Sequence, residues 1–166
     1  MLEKILFLQK VDMFEHLTVS ELQKIAQITE TENYNDEEFL FRQGDPGNYA
    51  YIIVSGEVEI FFESRKGEFR RLVTLGSGNF FGEMALLDGE PRSAGARTVS
   101  ECVLSRISRS DFIRILQQYP AIALGIISRL TMRIREMNDK VGKLTKVVSG
   151  FAELYEEGRK TLEDES

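Results

Sequence analysis

The sequence predicts an α+β fold: a jelly-roll β-barrel, or β-roll, flanked by N-terminal helices and closed by a long C-terminal helix. Three observations predict it. Short runs rich in β-branched and aromatic residues, cut by glycine turns about every ten residues, fill the middle of the chain. Helical periodicity precedes them. After Pro120 an apolar repeat of alternating three and four runs to Tyr155.

The elements follow in order. Residues 2–9 suit a short helix. "LTVSELQKIAQITE" suits a second, with Thr18 as N-cap and Glu21 three residues on completing a capping box. Leu22, Ile25, Ala26 and Ile28 supply its apolar stripe. From about Glu37 the texture becomes strand-like, with turns at Gly44-Asp-Pro-Gly47, Ser55-Gly56, Lys66-Gly67 and Gly76-Ser-Gly78. Two more strands are predicted at about 96–99 and 101–107. Ser108 with Asp111 opens a helix, and Pro120 opens the long one.

The long helix carries a heptad. Its a positions are Ile127, Ile134, Val141 and Val148, and its d positions are Leu130, Met137, Leu144 and Phe151. β-Branched residues at a with Leu-like residues at d favour a parallel two-stranded coiled coil, so a homodimer through residues of about 120–157 is expected. The flanking Arg133, Asn138, Lys140 and Thr145 offer weak charge pairing. Residues 1–157 are expected to form one domain with its dimerisation helix, and 158–166 a frayed acidic tail.

Composition narrows the function. The chain has 166 residues, 42% hydrophobic and 29% charged, with a formal net charge of −6, which disfavours broad attraction to nucleic acid or anionic membrane. One cysteine, Cys102, allows no internal disulfide and fits a reducing, cytoplasmic setting. No segment approaches the roughly 20 apolar residues of a membrane span. One histidine, His16, argues against a multi-histidine metal centre, and no catalytic residues or metal ligands are expected. Cys102 lacks a histidine to activate it and is read as a small core hydrophobe.

The densest stretch is "FFGEMALLDGEPRSAG", residues 80–95. Glu83 and Arg92 stand there among small and apolar neighbours. Gly82 and Glu83 follow a strand end, and "EMALL" can form about one helical turn. Unpaired N–H groups at a helix start favour an anion where glycine lets it approach. Asp88-Gly89 turns the chain, Pro91 fixes its entry, and Arg92 is placed on the next strand, able to grip a phosphate through two parallel hydrogen bonds, with Ser93 adding a hydroxyl. Glu83, an acceptor-only carboxylate, suits a sugar hydroxyl. Together they suit a ribose phosphate, and the glycine-rich Lys-Ser/Thr pattern of a triphosphate site is absent.

This stretch resembles the phosphate-binding cassette of cyclic nucleotide-binding domains, and the similarity covers about residues 7–145: "FRQGDPGNYAYIIVSGEVEIF", "GSGNFFGE" and "VSECVLSRISRSDFIRIL" recur in the family's order, and "DKVGKL" resembles the long helix of catabolite activators. The resemblance implies roles. Arg92 would pair with the cyclic phosphate, helped by Ser93 and the amides near Ala85. Gly82 and Glu83 would hold the ribose 2′-hydroxyl, and Leu72 and Val73 would lie under the purine. The long helix would close over the base with Arg133, Met137 and Asn138. Met137 stands where the catabolite activator has a threonine at the purine edge, and Asn138 where it has a serine. Gly95-Ala96 departs from the usual Thr/Ser-Val, and two small residues there are expected to weaken the strand and enlarge the pocket.

The implied function is a regulatory module that senses cyclic AMP or cyclic GMP and shifts its C-terminal helix, read by an effector protein that the sequence leaves unnamed. Ser93 does not decide the base. The alternative is a structural dimerisation or scaffold module that keeps the fold without a nucleotide. Direct DNA binding is not expected, because only about 20 residues follow Leu144 and they are rich in acids.

Overall fold

The structure, a computed structural model, describes residues 1–64 and 67–164, without the side chains of 153–154 and 156–164. The chain divides into two compact units, Met1–Ile127 and Ser128–Ser166.

The first unit opens with α1 (Leu2–Leu8), a single 3₁₀ turn at Asp12–Phe14, and α2 (Val19–Gln27). The capping box forms: the Thr18 hydroxyl accepts from the Glu21 amide at 3.3 Å, and the Thr18 amide donates to the Glu21 carboxylate at 2.7 Å. α2 stops sooner than its sequence suggested. Thr29 turns its hydroxyl back onto the carbonyls of Ile25 and Ala26, and β1 (Thr29–Tyr34) begins there. This strand, "TETENY", has no apolar alternation to announce it. It forms because β8 (Cys102–Ser108) supplies partners: Arg106 pairs with Glu30 and Glu32 at 3.1 and 2.8 Å, and Thr31 meets Ser105 at 2.9 Å.

The remaining elements are β2 (Phe39–Phe41), β3 (Tyr49–Ser55), β4 (Val58–Glu63), β5 (Phe69–Leu75), β6 (Phe80–Phe81), α3 (Glu83–Asp88), β7 (Gly95–Thr98), α4 (Arg109–Gln118) and α5 (Pro120–Asp164). They form two four-stranded antiparallel sheets, ordered β1-β8-β3-β6 and β2-β7-β4-β5. The turns fall where glycine was found: Gly44, Gly56, Gly67 and Gly78 all have positive φ. Lys66, half of one predicted turn, lies outside the described residues.

Apolar side chains of both sheets meet in one core of Tyr51, Ile53, Val58, Phe81, Ala96, Cys102 and Leu104. Cys102 is buried there, its thiol donating to the Glu57 carbonyl at 3.2 Å, as expected of a core residue. A second layer joins helices to the roll. The Phe80 ring of β6 lies 5.3 Å from that of Phe14 and 6.1 Å from that of Phe112 on α4. α4 starts where predicted, the Ser108 hydroxyl accepting from the Asp111 amide at 3.1 Å. Ile122 and Ile126 of "AIALGII" are buried within this unit.

The second unit is helical through Asp164. Its heptad residues Ile134, Met137, Val141, Leu144, Val148 and Phe151 are all exposed, and Leu130 is half-buried. The residues expected to fray, 158–166, lie largely outside the described side chains.

Candidate functional site

The site is assembled around β6 and α3. Gly82 links them with φ 77°, a left-handed conformation that glycine adopts without Cβ strain. Gly89 ends α3 in the same conformation, its amide donating to the Ala85 carbonyl at 3.1 Å. The loop from β2 to β3 presses against α3 at Gly47. A Cβ there would lie 2.1 Å from the Cβ of Ala85, so only glycine lets the loop reach the buried Ala85.

Arg92 lies in the loop before β7, not on the strand, which starts at Gly95. Its backbone is pinned to the β2–β3 loop: Arg92 N–H donates to Asp45 O at 2.9 Å and Gly44 N–H to Arg92 O at 2.8 Å. The side chain turns inward and is only 5% exposed. Nη1 donates to the Gly82 carbonyl at 2.8 Å, Nη2 donates to the Tyr49 carbonyl, and the guanidinium carbon sits 4.0 Å from the centre of the Phe41 ring. Nε is buried with no hydrogen-bond partner among the described residues. Burial pulls the Arg92 pKa below its ordinary value, opposed by neighbouring Tyr51 and by the carboxylates of Asp45 and Glu83, whose negative charge favours the cation. The guanidinium starts from so high a pKa that it stays charged.

A cleft of about 160 Å³ opens against this arginine. Gly82, Glu83, Ala85, Arg92 and Ser93, all expected at the site, line it together with Phe41, Ile60, Phe81, Met84 and Ala94. The lining is apolar apart from one cation, one carboxylate and one hydroxyl, a combination that suits an anionic ligand with an apolar ring and a free hydroxyl.

Other expected residues lie elsewhere. Leu72 and Val73 are exposed on β5 and do not line the cleft. Phe61 faces Arg71 while Ile60 faces Val73, so Leu72 is the extra residue of a β-bulge, and Ile60 of the neighbouring strand lines the cleft instead. Arg133, Met137 and Asn138 belong to the helical second unit, with Met137 63% exposed. Gly95-Ala96 does not enlarge the cleft. Neither residue lines it, Ala96 is a core residue, and the Phe61 ring fills the space beside Gly95. Sequence reasoning missed Phe81, Met84 and Ala94 within the cassette, and Phe41 and Ile60 outside it. The latter two sit on strands whose inward face the apolar pattern announces, but strand pattern does not say which inward residues meet a cleft.

Among the described residues, no cluster of histidine, cysteine, aspartate and glutamate could hold a metal ion, and no helix is long and apolar enough to cross a membrane.

The family model described as "Cyclic nucleotide-binding domain" matches residues 31–119, more than half of the chain. The cyclic AMP receptor protein of Thermus thermophilus is 38% identical over 97 residues, covering 58% of this chain and 45% of that protein. The cAMP-dependent protein kinase regulatory subunit of Emericella nidulans is 36% identical over 110 residues, covering 66% of this chain and 26% of that protein. The chain thus spans between a quarter and a half of the length of these two curated relatives. Among solved structures, the catabolite activator protein of Thermus thermophilus superposes with a TM-score of 0.71 at 31% identity, covering 81% of this chain and 63% of that one. The matched stretch contains both sheets except the first two residues of β1, and it contains the whole cleft; the chain belongs to the cyclic nucleotide-binding domain family.

Proposed function

We propose that this chain is a regulatory module that binds cyclic AMP or cyclic GMP and passes the bound state to its long C-terminal helix. The observation that carries this reading is Arg92: a buried cation beside a cleft, with one N–H lacking a partner among the described residues. A buried charge is costly unless paired. A singly charged phosphodiester would supply the counter-charge and accept from Nε. Ser93 and the amides near Ala85 would complete the phosphate contacts, and Glu83 with Gly82 would take the ribose 2′-hydroxyl. Base-side contacts on this reading come from Arg133, Met137 and Asn138 of the long helix.

Magnitudes suit a micromolar ligand. Charge-assisted hydrogen bonds contribute roughly 1.5–3 kcal/mol each. Two or three of these with purine burial, less the ordering cost, come to about −8 kcal/mol. The chemistry asked of the site is binding alone; no nucleophile–base pair is invoked. We further propose that the module is a homodimer through the exposed heptad seam of the long helix, in the cytoplasm, reporting to a protein effector.

The test is a thermal shift and calorimetric titration with cyclic AMP and cyclic GMP. At least one raises the melting temperature, because a ligand specific to the folded state stabilises it. Arg92→Ala weakens that binding by about 2–5 kcal/mol, since the phosphate loses its counter-charge. No shift with either nucleotide would favour the scaffold reading, for which the exposed apolar seam is the supporting observation.

A further inference from the structure

The guanidinium of Arg92 is fixed on three sides, two of them by backbone. Gly82 O and Tyr49 O take its two terminal nitrogens, at sequence separations of 10 and 43 residues. The third side is the ring of Phe41, 4.0 Å from the guanidinium carbon. This ring is itself held in place. It lies 6.0 Å from the Tyr51 ring and 6.2 Å from the Phe81 ring, and those two stack on each other at 5.4 Å. Phe41 also lines the cleft. Its β2 position is fixed by pairing with Ala96 of β7.

We propose that Phe41 is a positioning residue for the ligand anion: its ring face holds the Arg92 guanidinium plane so that the edge carrying Nε is presented to a phosphate. This inference rests on the cyclic-nucleotide reading above and goes beyond it by assigning part of the phosphate affinity to a residue that carries no charge.

The physical basis is the ring quadrupole. A cation over an aromatic face is attracted to it, more strongly as water is excluded, and here Arg92 is buried and Phe41 half-buried. The two carbonyls fix the guanidinium edge, but two hydrogen bonds alone leave a hinge about the line joining them. Contact with a flat ring removes that rotation. An aliphatic side chain at residue 41 would fill the volume but would supply neither the attraction nor the flat surface. Arginine with a pre-set plane loses less freedom when it grips an anion, and affinity rises accordingly.

The test is a double-mutant cycle on the full chain, with binding of cyclic AMP and cyclic GMP followed by heteronuclear NMR titration, which reads affinities into the millimolar range, and folding followed by thermal unfolding. Phe41→Leu lowers affinity roughly tenfold, and Phe41→Tyr, which keeps the ring face, stays within about threefold of wild type. In an Arg92→Gln background, Phe41→Leu changes affinity by less than about twofold, because no cation remains to be positioned. Phe41→Met, which fills the space without a ring face, replaces Phe41→Leu if the latter does not fold. A Phe41→Leu loss of the same size in both backgrounds would overturn the proposal and make Phe41 a packing residue. Unchanged affinity in Phe41→Leu would overturn it as well. If wild type binds neither nucleotide, the cyclic-nucleotide reading itself fails and takes this inference with it.

Discussion

The ring of Phe61 on β4 occupies the space that a side chain at residue 95 of β7 would need: a Cβ built on Gly95 would lie 2.3 Å from its Cζ. Phe61 is fully buried by this contact together with edge-to-face packing on Phe39 and Phe69. The glycine three residues after Arg92 is thus a packing partner of an aromatic cluster. Arg97 lies over the same cluster, 5.5 Å from the Phe69 ring, and pairs with Glu59 at 3.4 Å.

This contact predicts a specific incompatibility. Gly95→Ser is expected to cost about 1–3 kcal/mol by overpacking, and Phe61→Ala about 3–5 kcal/mol by leaving a cavity. The double substitution is expected to cost less than the sum, because the new side chain enters the space the ring vacates. Urea unfolding of the four proteins checks this; strict additivity would mean that the ring and residue 95 do not compete for space.

The Thr18 cap predicts a smaller effect. Thr18→Ala removes the hydroxyl that accepts from the Glu21 amide, and is expected to cost about 1 kcal/mol. Thr18→Ser keeps the acceptor and should stay within a few tenths of wild type. The midpoint of chemical unfolding measures both.

High pH should weaken the fold through Tyr34. Burial first, then its hydrogen bond to Glu32 at 2.8 Å, hold the Tyr34 phenol neutral well above the ordinary tyrosine range. The folded state therefore retains a proton that the unfolded chain loses from about pH 10 upward. Stability from this group is complete below about pH 10 and falls as pH rises beyond it. Tyr51, raised by burial, acts in the same direction. Melting temperature measured from pH 8 to 11 should decline at the alkaline end, and Tyr34→Phe should flatten that decline. An equal decline in the variant would remove Tyr34 as its cause.

The seam of the long helix predicts its own disruption. Leu144 and Val148 are 64% and 67% exposed and fall at consecutive d and a positions of the heptad. Wild type is expected to sediment as a dimer. Leu144→Glu places like charges face to face in an apolar seam and is expected to yield monomer at micromolar concentration. Analytical ultracentrifugation decides it: a monomeric wild type, or a variant of unchanged mass, would rule out this seam as the dimer contact.

What the sequence determined is what neighbours in the chain decide among themselves. Thr18 with Glu21 and Ser108 with Asp111 set helix starts because cap and amide are three residues apart. The glycine turns and the long heptad are likewise local, and so is the order Gly82, Glu83, Ala85, Arg92, Ser93 that brings five expected residues to one cleft. Only the tertiary structure decided the rest. "TETENY" is a strand because Arg106, more than seventy residues on, pairs its glutamates. Arg92 turns inward because carbonyls at Tyr49 and Gly82 receive it and the ring of Phe41 lies beneath. Ile60 of β4 lines the cleft, and the expected Leu72 and Val73 of β5, beside a bulge, do not. The physical reason is common to all three: a buried polar group or a cleft wall is defined by partners that the chain brings together only on folding, and local pattern carries no record of who those partners are.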